Sequence, residues 1–144
     1  MEPSPDVPSH DALSQLATAL AERAEVITAY AFGSAVDGSP SPRDLDVAVT
    51  LADEEADRLA TLLHLQVDLE REVGFPIDLH ELEGLPVDLQ FRIWQTGRLM
   101  IDRDPPRRVR TEIEIIHAYH DLAPYLERLR AATRRRLIAG AGHG

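Results

Sequence analysis

The sequence predicts a small α/β (α+β) domain, a mixed sheet flanked by helices, with a C-terminal helical extension. Three observations predict it. Short apolar runs alternate with stretches of helical periodicity in the order α-β-β-α-β-α-β. Glycine and proline punctuate the joints, at Gly33, Gly74, Pro86, Gly97 and Pro105-Pro106. The 144 residues, 44% of them apolar, suit one domain with its own core and an appendage.

Each element has its own signal. Residues 1–8 are acidic and proline-rich, unlike a signal peptide, and are expected to be a disordered lead-in. Ser9 is the expected N-cap of a helix to about Arg23, with Leu13, Leu16, Ala17 and Leu20 at helical spacing. Val26–Phe32 reads as a buried strand, and a second strand follows from about Asp44 to Leu51. A long helix is expected from about Asp53 to Val73, burying Leu59, Leu62, Leu63, Leu69 and Val73, with Asp53-Glu54-Glu55 at its positive end and Gly74 ending it. Phe75–Leu82 alternates like a third strand. Pro86 opens a helix carrying Leu89, Ile93 and Trp94, where Trp94 is expected in the core. Gly97 closes that helix, and Arg98–Asp102 is a short fourth strand. The core thus spans residues 9–104. C-terminal helices occupy 105–138, with a break or kink expected at Asp121–Pro124, because proline removes a backbone donor. The glycine-rich residues 139–144 are expected to form a flexible tail.

Charge and composition narrow the function. A formal net charge of −10 argues against nonspecific nucleic-acid binding, which rests on phosphate neutralisation, and suits a basic protein partner. With no cysteine, disulfides and thiolate metal sites are excluded. No apolar run is long enough to span a membrane. These features fit a cytoplasmic protein. The run Arg134-Arg135-Arg136 fits a solvated helix end.

The chemistry concentrates where strand one ends. Gly33-Ser34 interrupts the apolar run, a turn-rich loop follows, and the second strand then carries Asp44-Leu45-Asp46. Strand side chains alternate faces, so Asp44 and Asp46 share one face while Leu45 and Val47 point to the core. Two like charges on adjacent same-face positions repel unless a cation sits between them. Gly33-Ser34 offers backbone N–H groups and a hydroxyl to a phosphate. The carboxylates are hard ligands suited to Mg²⁺. Asp78, on the third strand, joins the same acidic face if that strand neighbours the second. Taken singly, a Gly-Ser pair is a turn, and an Asp-x-Asp is common at solvated strand ends. In this order and on these strands, the three carboxylates around a phosphate cradle make a two-metal phosphoryl-transfer site. His80, two residues from Asp78, either orients that carboxylate or is an exposed strand residue.

At these residues the chain resembles the minimal nucleotidyltransferases (MNT) of the DNA-polymerase-β-like superfamily, whose signature is Gly-Ser, a loop, Asp-x-Asp and a later carboxylate. The segment Gly97–Asp104, then Arg110, Glu112, Tyr119, Asp121 and Pro124, resembles the antitoxin half of HEPN/MNT toxin–antitoxin pairs. The resemblance covers about residues 10–130. It implies Mg²⁺-dependent transfer of AMP from ATP to a tyrosine hydroxyl of a cognate HEPN ribonuclease toxin. Asp44, Asp46 and Asp78 would be the catalytic metal ligands, and Gly33, Ser34 and Arg43 would bind the nucleotide. Two positions depart from the pattern. Asp37 precedes the loop glycine, Gly38, where the family often has arginine. Arg43 stands where the family favours serine, and would replace part of the missing positive charge.

Other readings compete. A non-catalytic antitoxin would occlude its toxin by direct binding. A small-molecule nucleotidyltransferase of the aminoglycoside-modifying type would need a substrate-binding domain for which little chain remains. Arg110, His117 and Tyr119 fit the loose Arg…His-x-Tyr pattern of HEPN ribonucleases, which carries little information without a helical bundle of its own. His117 and His120 lie on one helical face but lack an evident third metal ligand.

Overall fold

The computed structural model describes residues 9–39, 42–53 and 56–141. In chain order its elements are α1 (Ser9–Ala21), β1 (Val26–Phe32), β2 (Leu45–Leu51), α2 (Arg58–Val73), β3 (Ile77–Glu81), α3 (Val87–Thr96), β4 (Arg98–Asp102) and α4 (Pro105–Ala141). The side chain of Ser9, the expected cap, lies outside the described residues. So do residues 1–8, Glu54, Glu55 and 142–144.

The four strands form one mixed sheet in the order β3-β2-β1-β4. β1 pairs antiparallel with β2 and β4, while β2 and β3 run parallel through the α2 crossover. Alternation gives the sheet two apolar faces. On one, Val47, Val49, Leu45 and Leu79 pack with Leu16 and Leu20 of α1 and Leu69 of α2. On the other, Tyr30 and Ala48 pack with Ile93 of α3 and Ile115 of α4. Full burial of each large aliphatic side chain contributes about 1.5–3 kcal/mol.

Three expectations about the helices are corrected. First, α2 begins at Arg58, not Asp53: the Asp57 carboxylate accepts a hydrogen bond from the Ala60 N–H at 3.0 Å and caps the helix. Its core stripe is Leu65, Leu69 and Val73. Leu59, Leu63 and Val67, at i, i+4 and i+8, form a second apolar stripe that faces solvent. Second, no break occurs at Asp121–Pro124, because α4 continues through Pro124 to Ala141. Proline deprives the carbonyl four residues earlier of its donor, but His120 is exposed, so water can satisfy that carbonyl. The first residues of the expected flexible tail, 139–141, are therefore helical. Third, Trp94 is 37% exposed, not core, and lies against Phe91 at 5.6 Å between ring centroids. The expected terminator of α2 is present: Gly74 adopts φ 70° and its N–H donates to the Glu70 carbonyl.

A polar network fastens α4 to the sheet. The Tyr30 hydroxyl donates to Glu112 at 2.6 Å, and Arg108 bridges Glu112 and Asp102, each at 3.0 Å. Burial, then the bond to Glu112, pushes the Tyr30 hydroxyl's pKa well above its ordinary 10.0. A raised folded pKa means that this stability is present below pH 10 and is lost as pH rises and the unfolded tyrosine ionises. Tyr30→Phe is therefore expected to flatten the decline in urea midpoint above pH 10. Glu112→Ala is expected to cost about 2 kcal/mol at neutral pH, because it leaves the tyrosine hydroxyl without its acceptor and Arg108 with Asp102 alone. Urea denaturation of both variants at pH 7 and pH 10.5 checks this.

Candidate active site

The second sheet face leaves one end uncovered, where β1 ends and β2 and β3 begin. The sheet order satisfies the condition on Asp78. In the parallel β2–β3 register, Asp46 stands directly opposite Asp78, and Ala48 opposite His80. Leu45 and Val47 turn to the opposite face and are fully buried in the core. These buried neighbours fix the strand's rotation, so Asp46 must face outward beside Asp78.

Ligand atoms of Asp46, Asp78 and His80 all lie within 4.8 Å of one another, the only such group of potential metal ligands among the described residues. His80 Nε2 is 3.0 Å from Asp78 Oδ2. The Phe32 ring lies tilted against the imidazole, 6.4 Å between centroids. Of the two readings left open for His80, the structure favours contact with the carboxylate. Asp44 lies in the bend before β2 and is half-buried. It is outside the group of three, yet close enough for its charge to act on Asp46. The Asp46 carboxyl is held above its ordinary pKa of 3.8, first by burial, then by the charges of Asp44 and Asp78. The carboxylates are hard, anionic and mutually repelling, and a divalent cation fits among them.

Gly33 closes the site from β1. It has φ 76° and opens a 3-10 turn, Gly33–Ala35, whose first carbonyl accepts from the N–H groups of Val36 and Asp37. A Cβ at Gly33 would fall on Asp46 Oδ2, well inside van der Waals contact. Glycine thus meets the backbone conformation, and its missing Cβ leaves room for the Asp46 carboxylate. Gly33→Ala is expected to destabilise the fold by about 1–2 kcal/mol and to push Asp46 out of line with Asp78. Chemical denaturation, with the Asp46 carboxyl resonance followed by NMR, checks both effects.

The remaining candidates are more dispersed. Ser34 is exposed in the 3-10 turn beside Gly33, and Arg43 is exposed in the bend before Asp44. Asp37 is exposed in the turn after Ala35. Arg110 and His117 are exposed on α4, whereas Tyr119 stacks on Phe91 with centroids 3.8 Å apart and planes 4° from parallel. The loose Arg…His-x-Tyr pattern thus includes a residue that packs α4 on α3. His117 and His120 belong to no metal-ligand group among the described residues. The residue that sequence reasoning undervalued is His80. Its signal was the i, i+2 spacing from Asp78, which could not be weighed before the strand order was known. Among the described residues no helix is long and apolar enough to cross a membrane.

Residues 14–106 match the family model for polymerase beta nucleotidyltransferases, a span that contains Gly33, Ser34, Asp44, Asp46 and Asp78. A search of curated proteins finds no match. Among solved structures, the chain is similar to one in a toxin–antitoxin complex with AMP-PNP, at 19% identity and TM-score 0.68, over 85% of this chain and 98% of that one. It is also similar to one in the complex of tri-AMPylated Shewanella oneidensis HEPN toxin with MNT antitoxin, at 18% identity and TM-score 0.66, over 88% and 98%. A chain of the MntA–HepT toxin–antitoxin structure aligns at 18% identity and TM-score 0.64, over 85% and 97%. At these identities the likeness establishes the fold.

Proposed function

The chain belongs to the polymerase beta nucleotidyltransferase family, and from that premise we propose that it is an antitoxin that silences a HEPN ribonuclease toxin by adenylylation. AMP passes from ATP to a tyrosine hydroxyl of the toxin. The observation that carries this reading is the opposition of Asp46 and Asp78 across β2 and β3, closed by Gly33. The structures of similar chains with AMP-PNP and with an AMPylated HEPN toxin support the substrate and the partner.

Each residue has a role. Gly33 and Ser34 present backbone N–H groups and a hydroxyl to the triphosphate, and exposed Arg43 adds positive charge at the loop's end. Asp44 and Asp46 would hold the nucleotide's Mg²⁺, and Asp46 and Asp78 would hold a second ion. Bound Mg²⁺ would supply charge neutralisation on the triphosphate and on the departing pyrophosphate. Asp78 accepts the tyrosine proton as the hydroxyl oxygen bonds to the α-phosphorus and the bond from that phosphorus to pyrophosphate breaks. The protein's contribution is placement and a fixed electrostatic frame.

The test pairs this chain with its toxin. Incubation with ATP and Mg²⁺ is expected to add whole adenylyl groups to a toxin tyrosine, read by mass spectrometry, and to abolish the ribonuclease activity. An unmodified toxin, inhibited only while the two proteins stay in complex, would establish occlusion instead.

A further inference from the structure

We infer that His80 is a nitrogen ligand to the ion shared by Asp46 and Asp78, so that this position selects Mn²⁺ over Mg²⁺. The inference rests on the metal-dependent reading above and names the ion that reading leaves open. The geometry comes from the strands. Asp78 and His80 are same-face neighbours on β3, and Asp46 is the cross-strand partner of Asp78, so the three side chains converge from two adjacent strands. Neighbouring ligands on an octahedral ion with bonds of about 2.1 Å stand about 3 Å apart. His80 Nε2 and Asp78 Oδ2 are 3.0 Å apart, the edge of such an octahedron, and all three donors lie within 4.8 Å. Phe32 flanks the imidazole. The side chains of His80 and Asp78 are 36% and 51% exposed, which leaves a path for an ion.

The chemistry then sets the preference. Mg²⁺ favours oxygen ligands and holds its water tightly, so replacing a water by imidazole gains it little. Mn²⁺ accepts carboxylate and water as Mg²⁺ does, and stands on the divalent series whose affinity for nitrogen donors rises towards copper. Asp44 sits outside the three-residue group, so the ion that it shares with Asp46 keeps an all-oxygen protein shell. The two positions therefore differ in metal preference.

The experiment uses the full chain with ¹⁵N-labelled histidine, loaded with Mn²⁺ and AMP-PNP and read by pulsed EPR. Wild type is expected to show a ¹⁵N coupling on bound Mn²⁺, and His80→Asn to lack it. In His80→Asn the Mn²⁺ dissociation constant is expected to rise about 10- to 100-fold while that of Mg²⁺ moves less than about threefold. Mn²⁺ bound to wild type without ¹⁵N coupling would overturn the inference and leave the adenylylation reading standing. Equal weakening of both ions would overturn it too, and would make His80 a positioning residue for Asp78. If neither ion binds wild type, this inference and the metal-dependent reading fall together.

Discussion

Asp46→Asn is expected to lower AMP transfer by about 10²–10³-fold or more while making the ion-free protein more stable at pH 7. The two halves share one cause. Asp46 sits part-buried beside Asp44 and opposite Asp78, and these charges, after burial, hold its carboxyl above 3.8. A carboxyl whose folded pKa is raised contributes stability below its unfolded value and loses it as pH rises through the folded value. At pH 7 the ionised Asp46 therefore costs the apo fold, and asparagine, of nearly the same shape, removes that cost. The gain should be present at pH 7 and shrink towards pH 3.5, in urea titrations without divalent ions. Asp44→Asn should also abolish transfer, with a smaller gain, since it removes only one of the charges acting on Asp46. Full transfer activity in both variants would exclude a metal site at this strand end. A loss of activity with a large loss of stability would point to a structural role instead.

Strand parity made much of this legible in the sequence. Buried Leu45 and Val47 leave Asp46 only one face, and Ile77 and Leu79 do the same for Asp78. That the two faces are one site depended on β3 lying beside β2, and sheet order is decided by packing across the whole chain rather than by any local pattern. His80 stayed ambiguous for the same reason. Helix α2 shows the converse. Leu59, Leu63 and Val67 form as good an apolar stripe as Leu65, Leu69 and Val73, and only the docked sheet decides which is covered. Amphipathic periodicity identifies a helix, but two stripes on it leave its rotation open. Pro124 does not end the helix, and the reason is local. The rule that proline breaks helices prices a buried carbonyl without its donor, whereas here the helix is exposed. The need for glycine at position 33 was anticipated as an approach to phosphate, and the structure adds a nearer reason in the carboxylate of Asp46 behind it.

Asp78→Asn is expected to separate binding from chemistry. Asp44 and Asp46 remain to hold the nucleotide's ion, so AMP-PNP affinity with Mg²⁺ should stay within a few-fold of wild type by calorimetry, while turnover falls by about 10²–10⁴-fold, the usual contribution of a general base. The Asp78 side chain is half-exposed at the strand end and pairs there with part-exposed His80, so the substitution removes no buried bond and the fold should persist. The pattern is specific to the assigned role. If Asp78 served mainly to hold nucleotide, affinity and turnover would fall together; if it were a bystander, neither would move. In cells producing the toxin, Asp78→Asn should still bind ATP yet fail to restore growth, because covalent silencing needs the proton removed from the tyrosine. An occluding antitoxin, by contrast, would protect equally well with asparagine there, so growth rescue by Asp78→Asn with an unmodified toxin would decide for direct binding.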